Sequence, residues 1–138
     1  NLEKKKADEK IAEQLKINVG DDYLFIERTR TVHDEVVMFI QNNINIQLAP
    51  NIDTADYAHE SLFNIVEKYS EHKVAYSETS FAAVPSTKTI SELLHIEENS
   101  PLLYQEQLVH LEDDSIIELG RVWLKSNKFY VGSILQRL

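Results

Sequence analysis

The sequence predicts an α+β fold, in which helices pack on one antiparallel sheet. Strand-like runs with alternating apolar residues outnumber helical runs along the chain. Two pairs of these runs are joined by short polar turns, at 33–35 and 112–114. Strands joined by such short turns are antiparallel, and helices must then cover the sheet. The 138 residues, of which 43% are hydrophobic, suffice for a single domain with one core.

The first half of the chain is predicted to form one helix and one hairpin. Gly20 suits the positive φ that ends a helix, and 22–32 alternates as a strand. The run 36–40 is the returning strand, and 42–56 is polar and irregular, with Pro50 as a breaker. A short helix within the first fifteen residues is predicted by apolar residues at helical spacing, namely Ala7, Ile11, Ala12 and Leu15.

The second half is predicted to contain two helices and three or four more strands. A helix is expected over 60–69, and a strand over 73–84 that Pro85 ends. The capping-box pattern Thr89-Ile90-Ser91-Glu92 opens a helix that continues through Leu94. The remaining predicted strands are 102–111, 115–124 and a last one from Lys128 onward.

The two halves resemble each other at an offset of 79 residues. Leu15-Lys16-Ile17 corresponds to Leu94-His95-Ile96, and the turn residue Asp34 corresponds to Asp113. Each half would then contain a helix, a turn and a β-hairpin, with the hairpins related by a pseudo-twofold axis. The alternative is a chance likeness between two amphipathic segments.

Charge and composition narrow the functional classes. The net charge of −9, from 14 basic and 23 acidic residues, disfavours direct binding of nucleic acid. The chain has no cysteine, which excludes disulfides, thiolate metal sites and a cysteine nucleophile. The longest apolar run, 36–40, is too short to cross a bilayer, and no signal peptide opens the sequence. We therefore expect a cytoplasmic protein that does not contact membranes.

Arg28 and Arg30 are the strongest indication of a binding site. They share strand parity with Leu24 and Ile26, so their guanidinium groups project from the same face as apolar side chains. Two neighbouring cations repel each other unless an anion lies between them, and arginine suits phosphate or carboxylate. One alternative is a solvated face. The other is a structural ion pair with a carboxylate of the chain, for which the candidates are Glu27, Glu78 and Glu118.

Ser61 marks a second possible anion contact. It precedes an apolar helical run, and the free N–H groups and dipole of a helix N-terminus attract anions. The alternative is an ordinary N-cap serine. Elsewhere, Glu78, Glu106 and Glu118 show no spacing that ties them into an acid–base pair, and the five histidines lack metal-ligand spacing. We predict neither a metal site nor a cofactor.

Several short motifs, in their order and spacing, resemble the UTRA domain, the effector-binding domain of HutC-type GntR transcription regulators. Residues 15–20 resemble the family pattern "L-x-I-x-x-G", and 26–30 resemble "I-E-R-x-R". Ser61-Leu62-Phe63 resembles its "S-L-Y" helix, and 90–103 its segment ending in "P-L-L". Near the end, the family patterns "V-E" and "R-G-D-R-Y" resemble residues 117–118 and 125–129. The likeness covers nearly the whole chain.

The resemblance implies a chorismate-lyase-like fold and a homodimer. It implies that 1–138 form one domain, whose small-molecule effector regulates an attached winged helix-turn-helix domain outside this chain. The family's anion-binding arginines fall on Arg28 and Arg30, and its phosphate-contacting serine falls on Ser61. The implied effector is therefore an anion such as a sugar phosphate, and DNA would be contacted only through the attached domain.

The rest of the pocket departs from the family pattern. The family's glutamate on the strand after the first hairpin falls on Ile40 or Gln41, and its aspartate near the end is Asn127. The last-strand tyrosine is replaced by a residue without a hydroxyl, Phe129. The predicted ligand-binding residues are together Arg28, Arg30, Ser61, Glu78 and Phe129.

Two other functions remain open at this point. One is a lyase on the same fold that acts on an anionic aromatic acid, with Glu78 or Glu118 as its acid. The other is a dimerisation module without a ligand, in which protein carboxylates would neutralise Arg28 and Arg30. The sensor is the favoured function, so we predict that the chain is not an enzyme.

Overall fold

A computed structural model describes residues 1–126 of the chain. That range contains six strands, three α-helices and a 3-10 turn at Ile52–Thr54. The strands are β1 (Leu2–Lys6), β2 (Asp22–Val32), β3 (Glu35–Ile44), β4 (Val74–Pro85), β5 (Pro101–Leu111) and β6 (Ile116–Lys125). The helices are α1 (Glu9–Leu15), α2 (Leu62–Ser70) and α3 (Lys88–Leu94).

The six strands form one sheet in the order β1-β2-β3-β6-β5-β4. Every neighbouring pair is antiparallel. The two hairpins, β2-β3 and β5-β6, therefore meet at the centre of the sheet through β3 and β6, while β1 and β4 are the edges. The α+β class predicted from the sequence, with helices on an antiparallel sheet, is confirmed.

One face of the sheet carries the two arginines, and we call it the arginine face. Leu24, Ile26, Arg28 and Arg30 of β2 all project from it, because side chains alternate along a strand. Helix α2 covers only part of this face, where its Ile65 packs against Leu24 and Ile26 in one buried cluster. Arg28 and Arg30 lie farther along β2 and are exposed.

The opposite face carries α1 and α3. Helix α1 buries Ile11 and Leu15 in a cluster with Phe25 of β2. Helix α3 buries Leu94 in a separate cluster with Phe39 of β3. All four apolar residues that predict the first helix are buried, although only three of them lie within α1. The sheet is thus a central layer, with α2 on one side and two helices on the other.

The beginning of the chain differs from the prediction. Residues 2–6 form β1, and α1 begins only at Glu9, after the N-cap Asp8. Strand β1 pairs with β2 from Leu2 opposite Ile26 to Lys6 opposite Asp22. Because this pairing satisfies the backbone of 2–6 through a strand about twenty residues away, periodicity within the segment does not reveal it.

Two further boundaries are corrected. Strand β3 continues to Ile44, and Asn43 within it donates from Nδ2 to the Leu119 carbonyl oxygen at 3.0 Å. Residues 42–44 therefore belong to the sheet, although their polarity predicts an irregular region. Helix α3 begins after Thr87, whose hydroxyl accepts from the Ile90 N–H at 3.3 Å, rather than at the predicted Thr89. The predicted strand from Lys128 lies outside the described residues.

Several structural features recur at the offset of 79 residues. Helix α3 begins and ends 79 residues after α1, and β5 does so after β2. Both helices end at a residue with a left-handed backbone, Lys16 or His95. The β2-β3 ladder shifts register after Arg30, and the β5-β6 ladder shifts after Val109. The duplication and its pseudo-twofold axis both stay predictions.

Candidate functional site

Arg28 and Arg30 make no hydrogen bond or ion pair with protein groups within residues 1–126. Both side chains are exposed, and neither makes a hydrogen bond or an ion pair there. The three carboxylates that could have paired with them bond elsewhere. Glu27 accepts from Gln41 at 3.1 Å, Glu78 lies 3.0 Å from His110, and Glu118 accepts from Asn42 at 2.9 Å. The arginine face therefore presents two cations with no bound counter-ion from this part of the chain.

A buried carboxyl group lies on the same face. Glu118 of β6 is 3% exposed, and its Oε1 accepts a hydrogen bond from Asn42 Nδ2 of β3. Burial raises the pKa of Glu118 to about 7, although the Asn42 hydrogen bond and the positive charge of Arg28 both lower it. The raised pKa favours the protonated carboxyl, which can donate as well as accept hydrogen bonds.

Asn42 gives this part of the arginine face a second free polar atom. It is 5% exposed and lies opposite Ile26 on one side and Gly120 on the other. Its Oδ1 is buried without a hydrogen-bond partner among the described residues. Ile26 and Arg28 are two residues apart on one strand, or about 7 Å. The cations and this polar floor are thus close enough to contact one small molecule.

Gly120 provides the space that the Glu118 carboxyl occupies. A Cβ atom at position 120 would lie 2.8 Å from Glu118 Oε1, which is closer than real Cβ atoms approach an oxygen. The absent side chain therefore lets Glu118 fold over β6 on the arginine face. In the sequence, Glu118 lies within the apolar run 116–119, and Gly120 follows that run directly. These two residues were the available signals for this arrangement, but neither of them predicted the contact with Asn42.

We expect Gly120→Ala to destabilise the domain by about 1–3 kcal/mol, because the new methyl group displaces a carboxyl that is buried and hydrogen-bonded to Asn42. Urea denaturation followed by circular dichroism measures this. The control is Gly120→Ala in a Glu118→Ala background, where the methyl group meets no carboxylate and should cost much less. Equal costs in both backgrounds would contradict this account of Gly120.

Ser61 is the N-cap of α2. Its Oγ accepts a hydrogen bond from the Asn64 N–H at 3.3 Å. In this structure Ser61 therefore acts as the capping serine that the sequence offered as the alternative to an anion contact. Helix α2 packs on the arginine face through Ile65, which places Ser61 on the same side of the sheet as Arg28. Ser61 is exposed. Its hydroxyl and the first-turn N–H groups can therefore serve a ligand as well as the helix.

The structure does not bring Glu78 to the arginines. In the β4-β5 ladder Phe81 lies in the row of Arg28, so Glu78 projects from the opposite face. Glu78 instead lies 3.0 Å from Nε2 of His110 on the outer part of the sheet. Phe129, the other predicted ligand residue of the second half, lies outside the described residues.

The two possible counterparts of the family's glutamate are on opposite faces. Ile40 lies directly across from Arg28 and therefore on the arginine face, whereas Gln41 bonds Glu27 on the other face. A cavity of about 630 Å³ also borders Arg28, and there two acidic side chains, Glu27 and Glu92, accompany that one arginine. An anion is therefore expected on the arginine face rather than in that cavity.

The described residues contain neither a membrane-spanning helix nor a metal-binding cluster. No helix within 1–126 is long and apolar enough to cross a membrane. In the same range, no three histidine or acidic side chains are grouped as a metal ion would require.

Comparison with known proteins places the chain in a family. It matches the family model described as the UTRA domain over residues 1–130. It is similar to a regulator from Escherichia coli, with 39% identity, a TM-score of 0.87 and 96% of each chain covered. A GntR-family transcriptional regulator from Enterococcus faecalis has 23% identity and a TM-score of 0.85, with 99% of this chain and 96% of that one covered. No curated protein sequence matches significantly.

A third structure includes a longer chain. PhnF from Mycobacterium smegmatis has 18% identity and a TM-score of 0.88, and the match covers 99% of this chain and 60% of PhnF. At this identity the likeness shows the fold alone, whereas the family match spans most of the chain. The Escherichia coli structure, at 39% identity, is described as that of a regulator, which together with the family match supports a regulatory sensing role. With its sheet, its helices and its family match, the chain belongs to the UTRA domain family.

Proposed function

We propose that this chain is the effector-sensing domain of a HutC-type GntR regulator and that it binds a small anionic effector on the arginine face. The observation that carries this proposal is the pair Arg28 and Arg30, exposed and without an ion-pair partner in residues 1–126. In a chain with a net charge of −9, two free neighbouring cations on a partly apolar face are unusual. Their planar donors suit the oxygen atoms of a phosphate or a carboxylate.

The buried polar groups of the arginine face indicate what the uncharged part of the effector contains. The Glu118 carboxyl and the Asn42 Oδ1 atom lie on the same face as Arg28, whose charge acts on Glu118, and both can accept hydrogen bonds. A ligand with an anionic end and several hydroxyl groups would match both parts, and a sugar phosphate has this chemistry. Ser61 and the first turn of α2 are proposed to contact the same anion, while Phe129 is a proposed contact on the basis of the family resemblance only.

The proposal includes how the signal would be used. The domain acts as a cytoplasmic homodimer, joined to a winged helix-turn-helix domain that makes the DNA contacts. A dimer suits operators with two half-sites. The effector would regulate DNA binding only through a difference in its affinity for two arrangements of the dimer.

A thermal-shift screen tests the effector class. The panel contains hexose and hexosamine 6-phosphates, the corresponding free sugars, small carboxylic acids and inorganic phosphate. A ligand at 100 times its Kd stabilises the domain by about 2.7 kcal/mol, which raises Tm by several degrees. We expect a shift with a sugar phosphate and none with the matched free sugar. A shift with free sugars alone would overturn the anionic effector, and pyruvate release from chorismate would favour the lyase.

A further inference from the structure

The two edges of the sheet are built differently. Strand β1 has five residues, of which three are lysines, and lysine on an edge strand prevents pairing with another chain. Strand β4 has twelve residues and contains neither lysine nor arginine. Its proline, Pro85, is the last residue of the strand and leaves the rest of the edge unprotected.

Strand β4 is also exposed on both of its faces. All residues from 75 to 83 are exposed, including Tyr76 at 47% and Phe81 at 48%. Within residues 1–126, β4 pairs only with β5, so its outer N–H and C=O groups have no strand partner there. A long exposed edge with aromatic side chains is the type of edge that natural monomers avoid.

Charge indicates which partner would fit this edge. Glu78 is the only charged residue of β4, and His110 lies 3.0 Å from its carboxylate. A second copy of β4 is therefore compatible with this edge as long as the two Glu78 side chains do not face each other. Pairing two copies of β4 thus brings only one carboxylate from each strand to the seam.

We propose that β4 pairs antiparallel with β4 of a second copy, about a twofold axis at Thr79. This register aligns residues 74–84, sets Glu78 opposite Ser80 and leaves Pro85, which has no N–H, outside the ladder. The axis is perpendicular to the sheet, so the two sheets join into one of twelve strands. Both arginine faces then lie on the same side. This inference rests on the homodimer of the proposed function and assigns its interface.

A single engineered thiol tests the register, because the chain contains no cysteine. In the proposed dimer the two Thr79 Cα atoms lie opposite each other, at about 4.5–5.5 Å, which a disulfide can bridge. Thr79→Cys should therefore give a disulfide-linked dimer under mild oxidation. The matched control is Ala83→Cys, equally exposed on the same face of β4, whose two copies would lie about 27 Å apart. Equal cross-linking of the two variants would overturn the register.

A second pair of variants tests the edge itself. Phe81→Lys places a lysine on β4, and Leu2→Lys does the same on β1, on the same face of the sheet. Both side chains are exposed, so both variants should fold, which circular dichroism verifies. Sedimentation velocity should show at least a tenfold weaker dimer for Phe81→Lys and an unchanged dimer for Leu2→Lys.

The outcomes separate this interface from the proposed sensor. A dimer that survives Phe81→Lys overturns the β4 interface but leaves the homodimer intact. A monomeric wild-type protein overturns both. Effector binding is measured separately by the thermal shift of each variant with the sugar phosphate panel. A Phe81→Lys monomer that still binds would support the interface and the anion site together, and absence of binding in the wild type would overturn the anion site alone.

Discussion

Replacing Arg28 with alanine should weaken binding of the anionic effector by roughly 1.5–3 kcal/mol, the range for a hydrogen bond to a charged group. Arg28 is exposed and makes no ion pair within residues 1–126, so its removal breaks no hydrogen bond or ion pair of the described fold. The variant should therefore fold and lose affinity for the anion. Isothermal titration with the ligand identified in the thermal-shift screen measures the change.

A matched control separates a specific contact from a general loss of positive charge. Lys88 is also an exposed cation, but it lies at the start of α3 on the opposite face of the sheet. Lys88→Ala changes the net charge equally and should leave the affinity unchanged. An Arg28→Ala variant with wild-type affinity would remove Arg28 from the site. The same measurement on Arg30→Ala decides whether the two arginines act as a pair.

The stability of the domain should decrease as pH rises from about 5 to 8, through the titration of Glu118. The pKa of this buried carboxyl is about 7 in the folded domain, against an ordinary value of 4.5. The folded state therefore binds more protons than the unfolded state between these two values, and it loses this advantage as pH rises through the folded pKa. At 1.36 kcal/mol per pH unit, the expected loss is about 3 kcal/mol.

Glu118→Gln tests this assignment, because it keeps an acceptor for Asn42 and cannot ionise. Urea denaturation at several pH values between 5 and 9 should show that the variant lacks this loss and is more stable than the wild type at pH 8. Glu92→Gln, an exposed position on α3, serves as the control and should retain the wild-type pH profile. A Glu118→Gln profile parallel to that of the wild type would contradict the raised pKa.

The coupling between Glu118 and Arg28 adds an internal check. The positive charge of Arg28 lowers the Glu118 pKa, so its removal should raise that pKa further. In Arg28→Ala, the decrease in stability is therefore expected to be centred at higher pH than in the wild type. The two largest predicted effects thus involve the same small area of the arginine face.

Local pattern was sufficient where an element depends on its own residues. Alternation along 22–32 placed Arg28 and Arg30 on the face of Ile26, and the burial of Ile26 agrees with it. The turn at 33–35 was predicted from its polar residues, and His33 and Asp34 there do adopt positive φ. Strand parity and turn composition act over a few neighbouring residues, so one sequence suffices to infer them.

Contacts between distant segments were beyond this kind of inference. Asn42 and Glu118 are 76 residues apart, and only the pairing of β3 with β6 brings their side chains together on one face. The same is true of Glu78, which the predicted site included and which the register of β4 places on the opposite face. Parity within a strand says nothing about which face a different strand presents, because each turn and bulge between them can reverse it.

Local periodicity was enough to infer the class of fold, the two hairpins and the paired cations. The tertiary structure was needed to show that residues 2–6 form one edge of the sheet within residues 1–126 and that β4 forms the other. It also showed that a buried carboxyl shares a face with Arg28 and is affected by its charge. These features depend on strand order and register, which are set by packing energy summed over the whole sheet rather than by any single segment.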